Sequence, residues 1–382
     1  MRKLWLVPVL LLCASLTACS SGNGTSTTGT SNSATEADTQ GAETEKDAAT
    51  DGAAQGGIPV AGACWYNFAD TFISNARQTL LNVAKADGRI EVIDADSQND
   101  VGTQTSNMNN MFTKGVDYLV LNNINTGAIS EICDQIKEEG CYGIFANTDT
   151  PSDEDFAKND KLYSVASRAP ESGTIMGEAV VKYWKEHPEA DRNGNGKLDY
   201  VMLLGIQGHY DTEVRSEYSV KAIQDAGIEV NQIGGELICE YNRAKAQEAV
   251  AALLANYSED IDCVLACNDD MALGAIEALK AGGFFKDAGT YLPVCGVDAT
   301  AVGCDAVREG TLLTTALNNP VTLAKAIYKV MALTKEGTEV TTESLGIAGT
   351  EVEGHRVWIS YKAINADNVD EANYDITNTS LE

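Results

Sequence analysis

The sequence predicts an α/β protein built from two doubly wound lobes, each a parallel sheet covered by helices. From residue 60 onward, short apolar runs alternate with amphipathic stretches of helical period, the pattern of repeated strand-helix-strand units. A second series of the same kind starts near residue 162. About 325 residues follow the polar N-terminal segment, enough for two sizeable cores.

The elements follow one another with short connections. In the first series the predicted strands are 60–66, 90–94, 117–121 and 142–146, and the predicted helices are 71–86, 101–114 and 126–139. The second series has strands at 162–166, 200–204, 228–233, 262–267, 292–297 and 313–317, with a helix at 171–186. Strand-crossover-strand connections of this length produce parallel pairing.

The first 57 residues predict export and anchoring. Residues 1–18 carry Arg2-Lys3, an apolar run and a small-residue cleavage site, which is typical of a signal peptide. Cys19 follows directly and resembles the lipid-modified cysteine of bacterial lipoproteins, whereas a plain secretory signal is the alternative. Residues 19–57 are almost entirely small and polar and are expected to form a flexible tether. The protein is therefore expected outside the cytoplasmic membrane, at the cell surface or in the periplasm.

The charge restricts the partners. Removing Arg2 and Lys3 with the leader leaves 25 basic against 56 acidic side chains, a net charge near -31. Such a chain repels phosphate backbones and anionic lipid headgroups, so nucleic acid is not an expected partner. We expect a soluble monomer on the tether.

A calcium-binding loop is predicted directly before the strand at 200–204. Oxygen-bearing side chains at Asp191, Asn193, Asn195 and Asp199, with a glycine at the sixth place, match the first nine places of an EF-hand loop, and Lys197 would contribute its carbonyl. The closing Glu at the twelfth place is absent, so another carboxylate must come from elsewhere. The alternative is a solvated Asn-Gly turn.

Polar side chains follow six predicted strands where each strand ends. The carboxyl ends of parallel strands meet at one edge, where α/β proteins bind ligands. Asp, Asn, His and Arg groups there can form paired hydrogen bonds to neighbouring hydroxyls, and an aromatic ring can cover an apolar ring face. The combination predicts a neutral polyol such as a sugar. The candidates are Asp70, Phe72, Asn147, His209, Asp211, Arg215, Asn268, Asp298 and Asn318.

Two other interpretations of these residues were weighed. Any single Asp or Asn before a helix is also an ordinary N-cap. Asp70 and Asp298 could form a glycosidase acid/base pair, but nothing in the sequence places them across a scissile bond. The chain has no Gly-x-Ser-x-Gly elbow, Walker loop or dinucleotide fingerprint, so we expect a binding protein rather than an enzyme.

From about residue 60 to 369 the chain resembles the galactose/glucose-binding proteins, the calcium-containing sugar receptors of ABC importers. The resemblance rests on Asp70-Thr71-Phe72, Asp96 to Asp100, Asp191 to Asp199, Gly208 to Asp211 with Arg215, Asn268-Asp269, Gly296 to Asp298 and Leu317-Asn318. It implies that the nine candidates hold a hexose, D-galactose or D-glucose, and that Asp262 supplies the missing calcium ligand. The family's second stacking aromatic aligns with Cys239, and Tyr241 is the alternative.

The resemblance also implies the type I periplasmic binding protein fold, with three crossings near residues 167, 319 and 359. The expected N-terminal lobe is 58–167 with 320–358, and the expected C-terminal lobe is 168–319 with 359–382. Expected partners are the hexose and the membrane subunits of an ABC importer. A sensor for a membrane signalling protein and an extracellular sugar-processing enzyme remain alternatives.

Overall fold

Strands and helices alternate along most of the chain as predicted, but two strands follow one another at 230–238 and three at 350–364. A computed structural model describes residues 57–148 and 151–381. Within them the strands are β1 (Val60–Trp65), β2 (Glu91–Asp96), β3 (Tyr118–Leu121), β4 (Tyr142–Asn147), β5 (Leu162–Ser167), β6 (Leu198–Leu204), β7 (Val230–Gln232), β8 (Leu237–Ile238), β9 (Cys263–Ala266), β10 (Val294–Val297), β11 (Thr314–Leu317), β12 (Thr350–Glu353), β13 (Arg356–Ile359) and β14 (Lys362–Ile364).

The helices cover the faces of the sheets. They are α1 (Thr71–Asp87), α2 (Val101–Thr113), α3 (Ile129–Glu139), α4 (Asp153–Lys158), α5 (Ala169–Glu186), α6 (Tyr210–Asp225), α7 (Arg243–Tyr257), α8 (Asp269–Gly282), α9 (Ala301–Arg308), α10 (Pro320–Lys335) and α11 (Thr342–Leu345). Short 3-10 turns lie at Thr126–Ala128, Pro188–Ala190, Ala288–Thr290 and Val369–Ala372. The predicted helix at 126–139 is thus one 3-10 turn followed by α3.

Two sheets form two lobes, which confirms the predicted fold class. The first sheet has the order β12-β13-β5-β4-β3-β1-β2, and the second has β14-β11-β10-β9-β6-β7, with β8 also paired to β6. The pairing is parallel except at one edge of each sheet, where β12 and β14 run antiparallel to their neighbours. The chain passes between the sheets after β5, β11 and β13.

The central strands are buried on both faces because helices cover both sides. β3 reads Tyr-Leu-Val-Leu, β9 Cys-Val-Leu-Ala and β10 Val-Cys-Gly-Val, and every residue of the three is buried. Continuous apolar runs of this kind are expected in parallel sheets. Cys263 and Cys295 lie in these strands as small buried hydrophobic residues. No disulfide forms among the eight cysteines of the described residues, so Cys133 and Cys141 are not bridged.

Two glycines of α5 let α6 approach it closely. A Cβ on Gly177 would lie 2.3 Å from the Ser219 carbonyl oxygen, and one on Gly173 would lie 2.7 Å from the Arg215 carbonyl oxygen. Backbone at such distances cannot make room, so only glycine permits this helix contact. The close packing fixes the position of α6, which carries Asp211 and Arg215.

The C-terminal segment contacts both lobes. β14 and the turn Val369–Ala372 lie in the second lobe, where the turn packs on α9 and β14. Beyond the turn, Asn75 and Asn82 of α1, in the first lobe, donate hydrogen bonds to Tyr374 and to the Ile376 carbonyl. The expected assignment of 359–382 to one lobe therefore does not describe the contacts of the last residues.

Candidate functional site

A small cavity lies between the lobes at the carboxyl ends of the strands. Its volume is about 30 Å³, room for one or two water molecules. Eight of the nine residues predicted to bind a sugar line it, together with Tyr241, the predicted alternative for the second aromatic, and three residues that were not predicted. The lining residues are Tyr66, Asp70, Phe72, Ile73, Asn147, Thr148, His209, Asp211, Arg215, Tyr241, Asn268 and Asp298.

The ninth predicted residue, Asn318, lies directly behind this wall. Its amide nitrogen donates to Asn147 Oδ1 at 3.1 Å, and its amide oxygen accepts from Ser167 Oγ at 3.0 Å. Ser167 ends β5 and Asn318 follows β11, which are two of the crossings between the lobes. Asn318 therefore orients Asn147 and ties the cavity wall to the hinge.

Asp70 is both a helix cap and a cavity residue. Its Oδ1 accepts from the Ile73 backbone N–H at 2.8 Å and so caps α1, while its Oδ2 accepts from the Tyr66 hydroxyl. Burial raises the pKa of Asp70 to about 6, against the opposing effect of the Tyr66 hydrogen bond. The cap and the ligand interpretations of the sequence are thus compatible, because each uses a different oxygen.

Arg215 is buried, and one of its three nitrogens has no hydrogen-bond partner. One of its terminal nitrogens donates to Asp211 Oδ2 at 2.8 Å and to the Tyr361 hydroxyl at 3.1 Å, and the other donates to the Cys267 carbonyl at 2.8 Å. Its Nε has no hydrogen-bond partner. A buried donor without an acceptor costs about 1–3 kcal/mol, so the site is suited to a ligand oxygen.

Asp298 also lines the cavity, in a strained backbone conformation. Its φ is 115°, and φ is also positive at two other lining residues, Asn147 (67°) and Tyr241 (57°). Left-handed backbone at non-glycine residues is uncommon and gathers at functional sites. Burial raises the pKa of Asp298 well above its usual range, and the Arg215 charge acts in the opposite direction.

His209 is neutral and held in place. Burial lowers its pKa, while the Asp211 charge opposes this and an Asn123 backbone hydrogen bond adds a smaller opposing effect. His209 Nδ1 lies 3.2 Å from the Tyr241 hydroxyl, which also lies 2.8 Å from Thr212 Oγ1. Asn123 belongs to the first lobe and His209 to the second, so this histidine connects the lobes.

Tyr241, and not Cys239, presents the second aromatic ring to the cavity. Cys239 is 1% exposed and belongs to the apolar core, which does not support its alignment with a stacking position. The ring of Tyr241 lies against Gly205, where an added Cβ would be 2.2 Å from the ring. Tyr66, which the sequence reasoning missed, contacts Tyr241 edge-on with 6.3 Å between ring centroids. In the sequence, Tyr66 looks like the last apolar residue of an ordinary strand, so nothing marked it as a ligand-binding residue.

The lobes are closed over this cavity. Thr71 Oγ1 of α1 donates to Asp270 Oδ2 of α8 at 2.8 Å, and Thr126 Oγ1 donates to the Gly208 carbonyl at 3.0 Å. Both hydrogen bonds join one lobe to the other. These two hydrogen bonds must break when the lobes part.

A larger cavity of about 460 Å³ adjoins the first. The two share Asn147, Thr148 and Asp211, and the larger one extends along the hinge to Arg168 and Trp358. The cleft therefore continues beyond the small cavity along the hinge side of the lobes.

The predicted calcium loop is folded as a turn in which backbone and side-chain amide groups donate hydrogen bonds to the carboxylates of Asp191 and Asp199. Asp191 accepts from the backbone N–H groups of Asn195 (3.1 Å) and Gly196 (2.8 Å). The side-chain amides of Asn193 and Asn195 donate to Asp199 Oδ2 at 2.8 and 2.6 Å. The Lys197 side chain turns away to Glu229, with 2.6 Å between the charged atoms.

Asp262 joins this loop from a distant part of the chain. Its two oxygens accept from the Arg192 and Asp199 backbone N–H groups at 2.9 and 2.8 Å. Burial raises its pKa to about 6, and the Asp199 and Asp191 charges add to the effect. In the parts of the chain that the structure describes, no three His, Cys, Asp or Glu side chains converge on one metal position. The oxygen donors suit Ca²⁺ in kind, provided that the two asparagine amides turn their oxygens toward Asp199.

The predicted signal peptide (1–18), the lipidation site Cys19 and nearly all of the predicted tether (19–57) lie outside the described residues. A search of the helices between residues 57 and 381 finds none with the length and apolarity needed to cross a membrane.

Comparisons with known proteins give consistent matches. The family model described as periplasmic binding protein domain matches residues 61–339. The D-galactose/methyl-galactoside binding periplasmic protein MglB of Haemophilus influenzae is 32% identical over 311 residues, which cover 81% of this chain and 90% of that protein. The xylitol-binding protein of Mycolicibacterium smegmatis is 27% identical, covering 79% and 76% respectively.

Solved structures match the fold. An ABC transporter solute binding protein from Bacillus halodurans with bound myo-inositol has a TM-score of 0.68 at 24% identity and covers 84% of this chain and 98% of its own. Another from Clostridium phytofermentans with bound β-D-glucose has a TM-score of 0.66 at 20% identity, covering 82% and 95%. At these identities the likeness concerns the fold alone.

Proposed function

The chain belongs to the periplasmic binding protein family, and on that premise we propose that it is an extracytoplasmic receptor that binds a hexose between its lobes and delivers it to an ABC importer. The matched family consists of solute-binding proteins, so the chain is not an enzyme. D-galactose and D-glucose are the proposed ligands. Support comes from the relative named for D-galactose and methyl-galactoside binding, and from the residues gathered in the cavity.

The observation that carries this proposal is the unused hydrogen-bonding capacity between the lobes. Arg215 Nε has no acceptor, and the carboxylates of Asp70 and Asp298 are buried without a cation bonded to them. Sugar hydroxyls both donate and accept, so one hydroxylated ring satisfies the arginine and the two acids together. Phe72 and Tyr241 supply the aromatic surfaces that apolar C–H faces of a pyranose require.

Asp70 is the proposed reader of the hydroxyl whose orientation distinguishes galactose from glucose. A carboxylate accepts from a hydroxyl in either orientation, so both epimers are expected to bind. Asp70→Ala or Asp298→Ala leaves hydroxyls unpaired and is expected to cost about 1–3 kcal/mol of binding free energy.

Calorimetry on residues 58–382 with galactose, glucose, xylitol and myo-inositol tests the ligand. The proposal expects the two hexoses to bind more tightly than the two polyols. If neither hexose binds or raises the melting temperature, the proposed ligand is wrong.

We propose further that the loop binds one structural Ca²⁺ through Asp191, Asn193, Asn195, Asp199, Asp262 and the Lys197 carbonyl. Support comes from the spacing of the oxygen donors and from the burial of Asp199 and Asp262 beside Asp191. Bound Ca²⁺ would neutralise the three carboxylates. Titrating Ca²⁺ into chelator-treated protein should saturate at one ion per chain, and no measurable binding would contradict the proposal.

Membrane anchoring through Cys19 completes the proposal. The export signal and the tether would leave the two lobes free to meet an importer. Mass spectrometry of the mature N-terminus should find a diacylglycerol-modified Cys19, and Cys19→Ala should release the protein from membranes. An unmodified Cys19 in membrane fractions would contradict the anchor.

A further inference from the structure

The turn Val369–Ala372 is anchored on the second lobe. Val369 and Ala372 are buried where the turn packs on α9 and β14. An Arg308 terminal nitrogen on α9 donates to Asp370 Oδ1 at 3.1 Å, and Lys362 of β14 pairs with Glu371. Apolar burial and two ion pairs thus fix this turn.

The next residues are anchored on the first lobe. Asn75 Nδ2 of α1 donates to the Tyr374 hydroxyl at 3.4 Å. Thr79 Oγ1 and Asn82 Nδ2, one and two turns further along α1, donate to the Ile376 carbonyl at 3.4 and 3.2 Å. The contacts run down one face of α1, so the segment lies along the helix.

Burial and charge support the same placement. Residues 372, 374 and 376 are buried or half-buried, whereas 373, 375 and 377 are exposed, so one side of the segment is covered up to the turn at 375–378. Tyr374 and Leu381 pack against the main apolar core. Burial lowers the pKa of Lys325 on α10, and the nearby Asp375 charge acts in the opposite direction. This charge contact adds α10 to the first-lobe elements near the segment.

The chain between the turn on the second lobe and Tyr374 on the first lobe is too short to lengthen further. Only Asn373 separates Ala372 from Tyr374, and it is already extended, with φ -73° and ψ 110°. Two residues span at most about 7 Å. An increase in the gap between α9 and α1 must therefore detach the chain from one of them.

We propose that residues 373–381 form a strap that latches the two lobes in the closed state and leaves α1 when they open. The first-lobe contacts are the ones that release, because they consist of hydrogen bonds of 3.2–3.4 Å and side chains that are only partly buried, whereas the turn on the second lobe is held by buried side chains and two ion pairs. The strap acts on the lobe closure on which the proposed function rests, but lobe movement can be measured without any sugar.

The test compares the mature chain with a chain that ends at Asn373. Without ligand, the shortened chain should scatter X-rays as a more open particle. With galactose or glucose, its dissociation rate should be about 3- to 10-fold higher and its affinity lower by a similar factor. Asn82→Ala keeps the strap but removes one contact and should shift both readouts in the same direction by less. Thr377→Ala, an exposed strap residue bonded only to Asp375, is the matched control and should match the full chain.

Hydrogen exchange supplies a second readout on the unaltered chain. Backbone amides of the strap should exchange more slowly when hexose holds the lobes closed than without ligand. Equal exchange in both states, or unchanged scattering and release in both the shortened chain and Asn82→Ala, would overturn the strap. If the shortened chain opens but no chain binds a hexose, the strap stands and the proposed ligand fails.

Discussion

The cleft between the lobes and the loop at residues 191–199 both collect acidic side chains, yet they satisfy them differently. In the cleft, the Arg215 Nε remains unpaired and Asp298 is buried among like charges. In the loop, the amides of Asn193, Asn195 and Asn231 all donate to one carboxylate, Asp199.

The two sites differ in the hydrogen bonds that a ligand must break in order to bind. A sugar entering the cleft supplies missing hydrogen bonds and displaces at most a little water. A cation entering the loop must first turn amide groups away from Asp199, because an amide N–H cannot ligate a metal. The cleft is therefore prepared for a neutral ligand, whereas the loop is held in a turn by its own amides.

The largest expected effect removes the charge at the centre of the cleft. Arg215→Ala leaves Asp211 buried without its cation and is expected to cost about 3–5 kcal/mol of folding free energy. Hexose binding should be lost as well. Denaturant unfolding and calorimetry measure the two effects, with Lys221→Ala, which removes an exposed ion pair to Asp225, as a control. If Arg215→Ala lowered the free energy of unfolding by less than about 1 kcal/mol, the buried Arg215–Asp211 pair would contribute no more to stability than an exposed ion pair.

The second prediction concerns the loop. Ca²⁺ at a hundred times its Kd should raise the unfolding free energy by about 2.7 kcal/mol. Chelator should remove this increment from the native chain and leave an Asp191→Ala, Asp199→Ala chain unaffected. Thermal unfolding with and without chelator checks it. An equal chelator effect in both chains, or none in the native chain, would contradict the prediction.

The third prediction concerns the space that holds Tyr241. Gly205→Ala places a methyl group inside the ring position, so the ring must move out of the cavity wall. Overpacking of this kind costs about 1–3 kcal/mol, and hexose affinity should fall with it. Gly289→Ala is the control, because an added Cβ there meets only Asp287 Oδ1 at 3.4 Å. Crystallography with sugar would show whether the ring has moved, and an unmoved ring with unchanged affinity would contradict the prediction.

The fourth prediction compares Cys239→Trp with Tyr241→Ala and tests which of the two positions stacks on the sugar. Cys239 is enclosed in the core, so a tryptophan there should destabilise the fold rather than tighten sugar binding. Tyr241→Ala should weaken hexose binding by about 1 kcal/mol. If Cys239→Trp bound hexose more tightly than the native chain, position 239 and not Tyr241 would be the stacking position.

The smallest effect is a pH dependence. In the proposed complex, hexose hydroxyls donate to the Asp70 carboxylate, so binding favours its ionised form. Burial raises the Asp70 pKa to about 6, so affinity should be full well above pH 6 and should fall below it by up to tenfold per pH unit. The effect of the same group on folding has the opposite sign. Because the Asp70 pKa is raised in the folded protein, the contribution of Asp70 to the free energy of unfolding falls as pH rises from about 4 to 6. Asp270 adds to the rise, whereas Tyr66 and Arg215 oppose it.

Tyr66→Phe removes a hydrogen bond that lowers this pKa, so the loss of affinity should begin at a higher pH. Asp298 is the same in both chains, so the comparison between them isolates the effect on Asp70. Calorimetry between pH 5 and 8 measures the shift, and superimposable profiles would contradict the role of Tyr66.

The sequence by itself determined the lobes and most of the cleft. Apolar runs and helical periods set the strands to within a few residues, because they reflect burial that every parallel sheet requires. Asp70 and Asn268 were detectable because a polar residue at a strand end sits where such sheets bind ligands.

Tertiary structure alone decided the contacts that depend on exact side-chain positions. Which of Cys239 and Tyr241 faces the cavity depends on the positive φ of Tyr241 and on the space at Gly205, and neither appears in an apolar pattern. Tyr66 reaches Asp70 because α1 begins where β1 ends. The C-terminal strap has no periodicity of its own, and it lies on α1 because Tyr374 and Ile376 meet hydrogen-bond donors that are distant in the chain. Such pairings depend on where two remote segments come together, and that is set by the packing of both lobes.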